Sequence, residues 1–112
     1  MSRDQDRRRT PRVPFVAYSE IVADDSGTRI STRVSELSLS GCYVDMLNPL
    51  PVGTAVGIKI VTMIRSFEAE AIVVYSHPNL GMGIAFSNLT PHSLETLRQW
   101  VMGAQDKGGP NL

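Results

Sequence analysis

Hydrophobic and polar residues alternate in short segments of this chain, which is the pattern of half-buried β-strands. The alternation is clearest over Ala55–Thr62 and Ser66–Ser76, where apolar side chains occupy every second position. Four further segments rich in apolar, β-branched or aromatic residues are also predicted to be strands. The six predicted strands are Phe15–Ala23, Thr28–Val34, Gly41–Leu47, Ala55–Thr62, Ser66–Ser76 and Leu80–Phe86. Six short strands in a chain of 112 residues favour an antiparallel barrel or a sandwich.

Four of these strands have a clear apolar face that we expect to point into the core. The predicted inward residues are Cys42, Val44 and Met46; Val56, Ile58 and Ile60; Phe67, Ala69, Ala71, Val73 and Tyr75; and Met82, Ile84 and Phe86. Because Cys42 lies on such a face, we expect it to be a small core residue rather than a nucleophile.

One helix is predicted near the C-terminus. Thr90 is a suitable N-cap, Pro91 suits the first helical position, and Gly103 is a natural stop. An apolar stripe of Leu94, Leu97 and Val101 runs along one side. We expect this helix to plug one end of the β-structure or to cover its side.

The length of the chain fits one domain, with an arm at residues 1–14, a body at 15–103 and a disordered tail at 104–112. No apolar run approaches the roughly 18 residues of a membrane helix, and no apolar segment follows the N-terminal arginines as in a signal peptide. A single cysteine excludes an internal disulfide and a cysteine-based metal site. We therefore expect a cytoplasmic protein without membrane insertion.

The charges are unevenly distributed, although the formal net charge is zero. Residues 1–12 hold five of the eleven basic residues and two acidic ones, a formal charge of +3, which leaves −3 on the rest. Such a body disfavours nucleic-acid binding, which needs a broad basic face. The basic arm suggests a small anionic partner, and the alternative is a solvated, flexible arm without a ligand.

The sequence offers no convincing catalytic or metal-binding group. His77 and His92 each lie next to a proline at a predicted turn or helix start, where a solvated histidine is expected. Glu68 and Glu70 lie on the polar face of a strand, which solvation explains. No spacing of histidines and carboxylates suits a metal. We therefore expect a protein that is not an enzyme and binds no metal.

Two motifs combine residue types that bind phosphates and bases. The first is Asp6–Arg12 (DRRRTPR), in which Arg8 and Arg12 are spaced as RxxxR and Arg7 precedes them. The second is Glu36–Gly41 (ELSLSG). In this order, and with the later LGMGIAF segment, they resemble the PilZ domain family, whose pattern is RRxxxR followed by (D/N)xSxxG. The resemblance covers about residues 6–103.

The resemblance implies a small six-stranded antiparallel barrel with a C-terminal helix and a flexible basic arm. It also implies that the ligand is the bacterial second messenger cyclic di-GMP, whose phosphates and guanine edges an arginine fork matches bidentately. By resemblance, Arg8 and Arg12 contact a guanine edge and phosphate, and Arg7 supports a second face or a second ligand molecule. The residues implied in the second motif are Glu36, Ser38 and Gly41. Both one and two bound ligand molecules are compatible with this arrangement.

The first position of the second motif departs from the family pattern. Glu36 stands where the family has Asp or Asn, and its extra methylene displaces the carboxylate by about a bond length. Two hypotheses follow. One is a stand-alone receptor that relays cyclic di-GMP binding to an unknown effector protein. The other is a degenerate PilZ domain, monomeric or homodimeric like the first, that binds only protein in motility or pilus function.

Overall fold

The computed structural model describes residues 12–107, which form a closed β-barrel followed by one helix. All neighbouring strands are antiparallel in the order β1-β2-β3-β6-β5-β4, and β4 pairs with β1 to close the barrel. The strands are β1 (Val13–Ala23), β2 (Arg29–Leu37), β3 (Gly41–Asp45), β4 (Ala55–Val61), β5 (Ser66–His77) and β6 (Gly81–Asn88). The expectation of a six-stranded antiparallel barrel is confirmed.

Inward side chains of all six strands fill the barrel. Every second residue of a strand points to the same side, so the predicted apolar faces become one continuous core. The largest fully buried apolar side chains are Phe67, Ile21, Leu37, Ile58, Ile60, Met82 and Leu97. Cys42 belongs to this core as predicted, and burial raises the pKa of its thiol to about 12. A thiol with this pKa remains protonated at neutral pH and is a poor nucleophile.

Tyr75 is an exception to the predicted faces, and its assignment to the core was wrong. A bulge in β5 between Val73 and Tyr75 leaves Val74 as an extra residue in the pairing with β6. Such an extra residue reverses the alternation that follows it. Tyr75 therefore lies on the outside of the barrel, opposite Gly83 of β6.

The helix α1 (Pro91–Lys107) packs across one end of the barrel. Its N-terminus is capped as predicted, because the Thr90 hydroxyl accepts a hydrogen bond from the Ser93 N–H at 3.0 Å. Trp100 packs against Phe15 of β1 and Phe67 of β5, with ring centroids 5.2 and 6.1 Å apart. Since β4 separates β1 from β5, these contacts hold the helix across the barrel end.

Both predicted boundaries of the body differ from the structure. Val13, which was assigned to the arm, begins β1 and is buried in the core. At the other end, the helix continues through Gly103 to Lys107, so the predicted stop was wrong. The remaining parts of the predicted arm and tail, 1–11 and 108–112, lie outside the described residues.

Candidate ligand groove at the rim of the barrel

The turn that carries the second half of the ELSLSG motif is held by the side chain of Ser38. This serine is only 6% exposed. Its Oγ accepts hydrogen bonds from the backbone N–H groups of Ser40 and Gly41, both at 3.2 Å. Its own N–H donates to the Gly41 carbonyl at 2.8 Å. Ser38 therefore fixes the tight connection from β2 to β3.

Gly41 is required by the close approach of β3 to β6. A Cβ atom at this position would lie 2.1 Å from the carbonyl oxygen of Ile84, which is part of the β6 backbone. A backbone atom in a paired strand has little freedom to move away. This position of the motif thus serves the packing of two strands.

Arg12 and Glu36 are brought together by the pairing of β1 with β2. Pro14 lies opposite Glu36 in that pairing, so Arg12, the residue that precedes β1, lies beside the Glu36 carboxylate. The Arg12 Nη1 and Glu36 Oε1 atoms are 3.7 Å apart, and the two side chains are 53% and 47% exposed. The strand β2 extends three residues beyond its predicted end, so that Glu36 is in the strand. Arg7 and Arg8 lie outside the described residues.

A groove beside this pair contains all the described residues of the two motifs that were predicted to bind ligand. It has a volume of about 170 Å³ and crosses the outer surface of β3 and β6. Typical pockets for small molecules measure about 300–1,000 Å³. The groove would therefore hold only part of such a ligand. Two larger depressions on the described part of the barrel contain none of the predicted ligand-binding residues.

The groove is also lined by aromatic residues, which sequence patterns alone did not identify as part of the site. Tyr43 and Tyr75 both line the groove, and their ring centroids are 6.0 Å apart. The Tyr43 hydroxyl is hydrogen-bonded to Nδ1 of His77 at 3.1 Å. Partial burial raises the pKa of that hydroxyl, and the nearby Tyr75, Asp45 and Glu36 raise it further. Tyr43 is therefore protonated at neutral pH.

Within residues 12–107, no group of three or more histidine, cysteine, aspartate or glutamate side chains is arranged to hold a metal ion. Over the same residues, the helix is neither long nor apolar enough to cross a membrane.

The described residues thus form a small closed barrel with an arginine and a carboxylate at the rim of an outer groove. The chain belongs to the PilZ family, because the model of the PilZ domain matches residues 6–103. The resemblance inferred from the two motifs is thereby confirmed at the level of the family. No curated protein sequence matches the chain significantly.

Solved structures, two PilZ domains among them, share this fold. The PilZ domain of CeSA from a cellulose-synthesizing bacterium has a TM-score of 0.67 at 21% identity, covering 85% of this chain and 98% of that one. The PilZ domain of YcgR from Escherichia coli, solved with c-di-GMP, has a TM-score of 0.70 at 16% identity, covering 91% and 94%. The Bacillus subtilis inhibitor of motility MotI has a TM-score of 0.74 at 20% identity, covering 90% of this chain but 52% of MotI. The present chain thus spans about half the length of MotI.

Proposed function

We propose that the chain is a cytoplasmic receptor for cyclic di-GMP, which binds at the groove beside Arg12 and Glu36 and alters the binding of a partner protein. The observation that carries this proposal is the meeting of the two motifs, since Arg12 and Glu36 lie 3.7 Å apart at the edge of one groove. Membership of the PilZ family supports it. The YcgR PilZ domain, which shares the fold, was solved with this nucleotide.

The chemistry of the rim suits a ligand with phosphates and guanine bases. The exposed Arg12 guanidinium is able to pair with a phosphate or with the N7 and O6 acceptors of guanine. Glu36 either accepts hydrogen bonds from the N–H edge of guanine or holds Arg12 in place. Because the groove is small, the rest of the ligand extends beyond it, where Arg7 and Arg8 of the first motif are proposed to bind.

The proposed activity is binding rather than catalysis, so the bound state must be detected by another protein. A ligand shifts an equilibrium only through contacts that differ between the two states. We expect those contacts to order the N-terminal arginines over the rim and thereby change the surface that the partner meets.

Titration calorimetry with cyclic di-GMP tests the proposal. Wild-type protein should give saturable heat at nucleotide concentrations of about tens of micromolar. Arg8→Ala should weaken binding about tenfold or more, because a charge-assisted bidentate contact is lost. Arg3→Ala removes an arginine of the same segment outside the motif and serves as the matched control, with affinity unchanged. Absence of heat with the wild type would refute the proposal.

A second candidate function is a protein-binding PilZ domain without nucleotide. The observation in its favour is Glu36, which departs from the family pattern and already pairs with Arg12. The same titration distinguishes the two when Glu36→Asp is included. A receptor changes its affinity little, whereas a domain that has lost the nucleotide shows no binding as wild type and gains binding with aspartate.

A further inference from the structure

Tyr75 forms part of the groove wall but belongs to neither motif. Four strands place it in one row of paired residues on the outer surface, which runs Glu36, Tyr43, Gly83 and Tyr75. The bulge in β5 is what turns Tyr75 outward into this row. Glu36 and Tyr75 thus lie at opposite ends of this row, and both line the groove.

The ring of Tyr75 lies with its face against the backbone of Gly83. A Cβ atom at Gly83 would be 2.3, 2.5 and 2.7 Å from the ζ, ε2 and ε1 carbons of that ring. Three nearly equal distances require the Cβ position to be over the ring face, because an approach in the ring plane would leave the two ε carbons much farther away. Any side chain at Gly83 would displace the ring.

Neighbouring rings restrict the motion of Tyr75. The Tyr43 ring centroid is 6.0 Å away and the His77 ring centroid is 5.1 Å away, both at tilted angles. Tyr43 and His77 are in turn joined by their hydrogen bond of 3.1 Å. An aromatic ring that is held in this way loses little further entropy when a ligand binds to it.

Small residues lie beside this ring on the outer surface. Gly41 of β3 and Ala85 of β6 are paired opposite each other and line the groove, while Gly83 is covered by the ring of Tyr75. No side chain longer than a methyl group rises from positions 41 and 85. A shallow groove with an aromatic ring, small neighbouring residues and one polar edge fits a planar ring with hydrogen-bonding groups along its rim.

We propose that Tyr75 is the surface on which one purine base of the bound nucleotide stacks, while the polar edge of the base faces Glu36 and Arg12. This inference rests on the proposed function, because it assigns a base-stacking residue within the same groove. Stacking on an aromatic side chain depends little on the identity of the base. Tyr75 therefore contributes affinity for purines, and Glu36 with Arg12 contributes the preference for guanine.

Titrations of cyclic di-GMP into Tyr75→Leu and Tyr75→Phe test this assignment. Tyr75→Leu should bind about 5- to 100-fold more weakly, as expected for the loss of one base–aromatic stack. Tyr75→Phe keeps the ring and should bind as wild type. Tyr18→Leu is the matched control, because Tyr18 is a 52% exposed tyrosine on β1 outside the groove.

The outcomes separate this inference from the proposed function. If wild type binds and Tyr75→Leu binds equally well, the stacking role is refuted and the receptor function stands. If wild type does not bind, both are refuted. Should Tyr75→Leu fail to fold, NMR of the wild type decides. Upfield shifts of the Tyr75 ring protons on adding cyclic di-GMP support stacking, and unchanged shifts refute it.

Discussion

The ELSLSG motif contains two regions with different physical environments. Glu36 lies on the outer surface with its side chain 47% exposed, and its partner Arg12 is equally accessible. Ser38 and Gly41 are buried, and their contacts are with the backbone of the barrel itself. A single short motif thus joins a rigid turn to an exposed carboxylate. Residues of one motif are therefore required for different reasons, Ser38 and Gly41 for folding and Glu36, as proposed, for binding.

The strongest test of this contrast is Gly41→Ala. The added methyl group meets the Ile84 carbonyl oxygen at 2.1 Å, so β3 and β6 must separate. We expect the free energy of unfolding to fall by about 3 kcal/mol or more, as in severe overpacking. Urea unfolding followed by circular dichroism measures the change. Gly57→Ala is the control, because a Cβ there meets nothing within 4 Å, and its stability should change by less than about 1 kcal/mol. Equal losses in both variants would contradict the packing role of Gly41.

A smaller effect is expected for Ser38→Ala. The substitution removes the acceptor of two backbone N–H groups in the turn, at Ser40 and Gly41. Leaving buried donors without a partner should cost about 1–3 kcal/mol in the free energy of unfolding. The control is Ser87→Ala, an exposed serine of β6 outside this turn, with an expected change below about 0.5 kcal/mol. If Ser38→Ala is as stable as its control, the turn does not depend on this hydroxyl.

The smallest effect on stability is expected for the exposed pair. Arg12→Ala and Glu36→Ala should each lower the free energy of unfolding by less than about 1 kcal/mol, because solvent screens an ion pair of this exposure. A double-mutant cycle from urea unfolding gives the coupling between the two residues. A coupling above about 2 kcal/mol would place the pair with the structural half of the motif and remove the contrast.

Periodicity predicted most of the barrel. The alternation in β4 and β5 gave the correct inward faces up to Val73, and the cap at Thr90 gave the correct start of the helix. Alternation along one strand cannot reveal a bulge, however, because a bulge is a shift in the pairing of that strand with its neighbour, here β5 with β6. For that reason Tyr75 was assigned to the wrong side. The helix end was missed because Gly103 was expected to stop the helix and instead lies within it.

The candidate site could be predicted from the sequence only in part. The motif residues Glu36 and Arg12 were identified, but their proximity depends on the register between β1 and β2, which is a property of the folded sheet. Likewise, the sequence shows that position 41 is a glycine, but it does not show that the Ile84 carbonyl oxygen lies where a side chain of residue 41 would be. The signal for the aromatic wall was present as Tyr43 on the polar face of its strand, a position where an aromatic residue is commonly part of a binding surface.

Closure of the barrel has a consequence for recognition by other proteins. Each of the six strands pairs with a neighbour on both sides, and along the paired stretches the inter-strand donors and acceptors of the main chain are already used. Peptides are often captured by adding a strand to the free edge of a sheet, and that route requires unpaired backbone groups. A protein that docks on the paired stretches of this barrel must instead be recognised through side chains, so its specificity should be alterable by single surface substitutions.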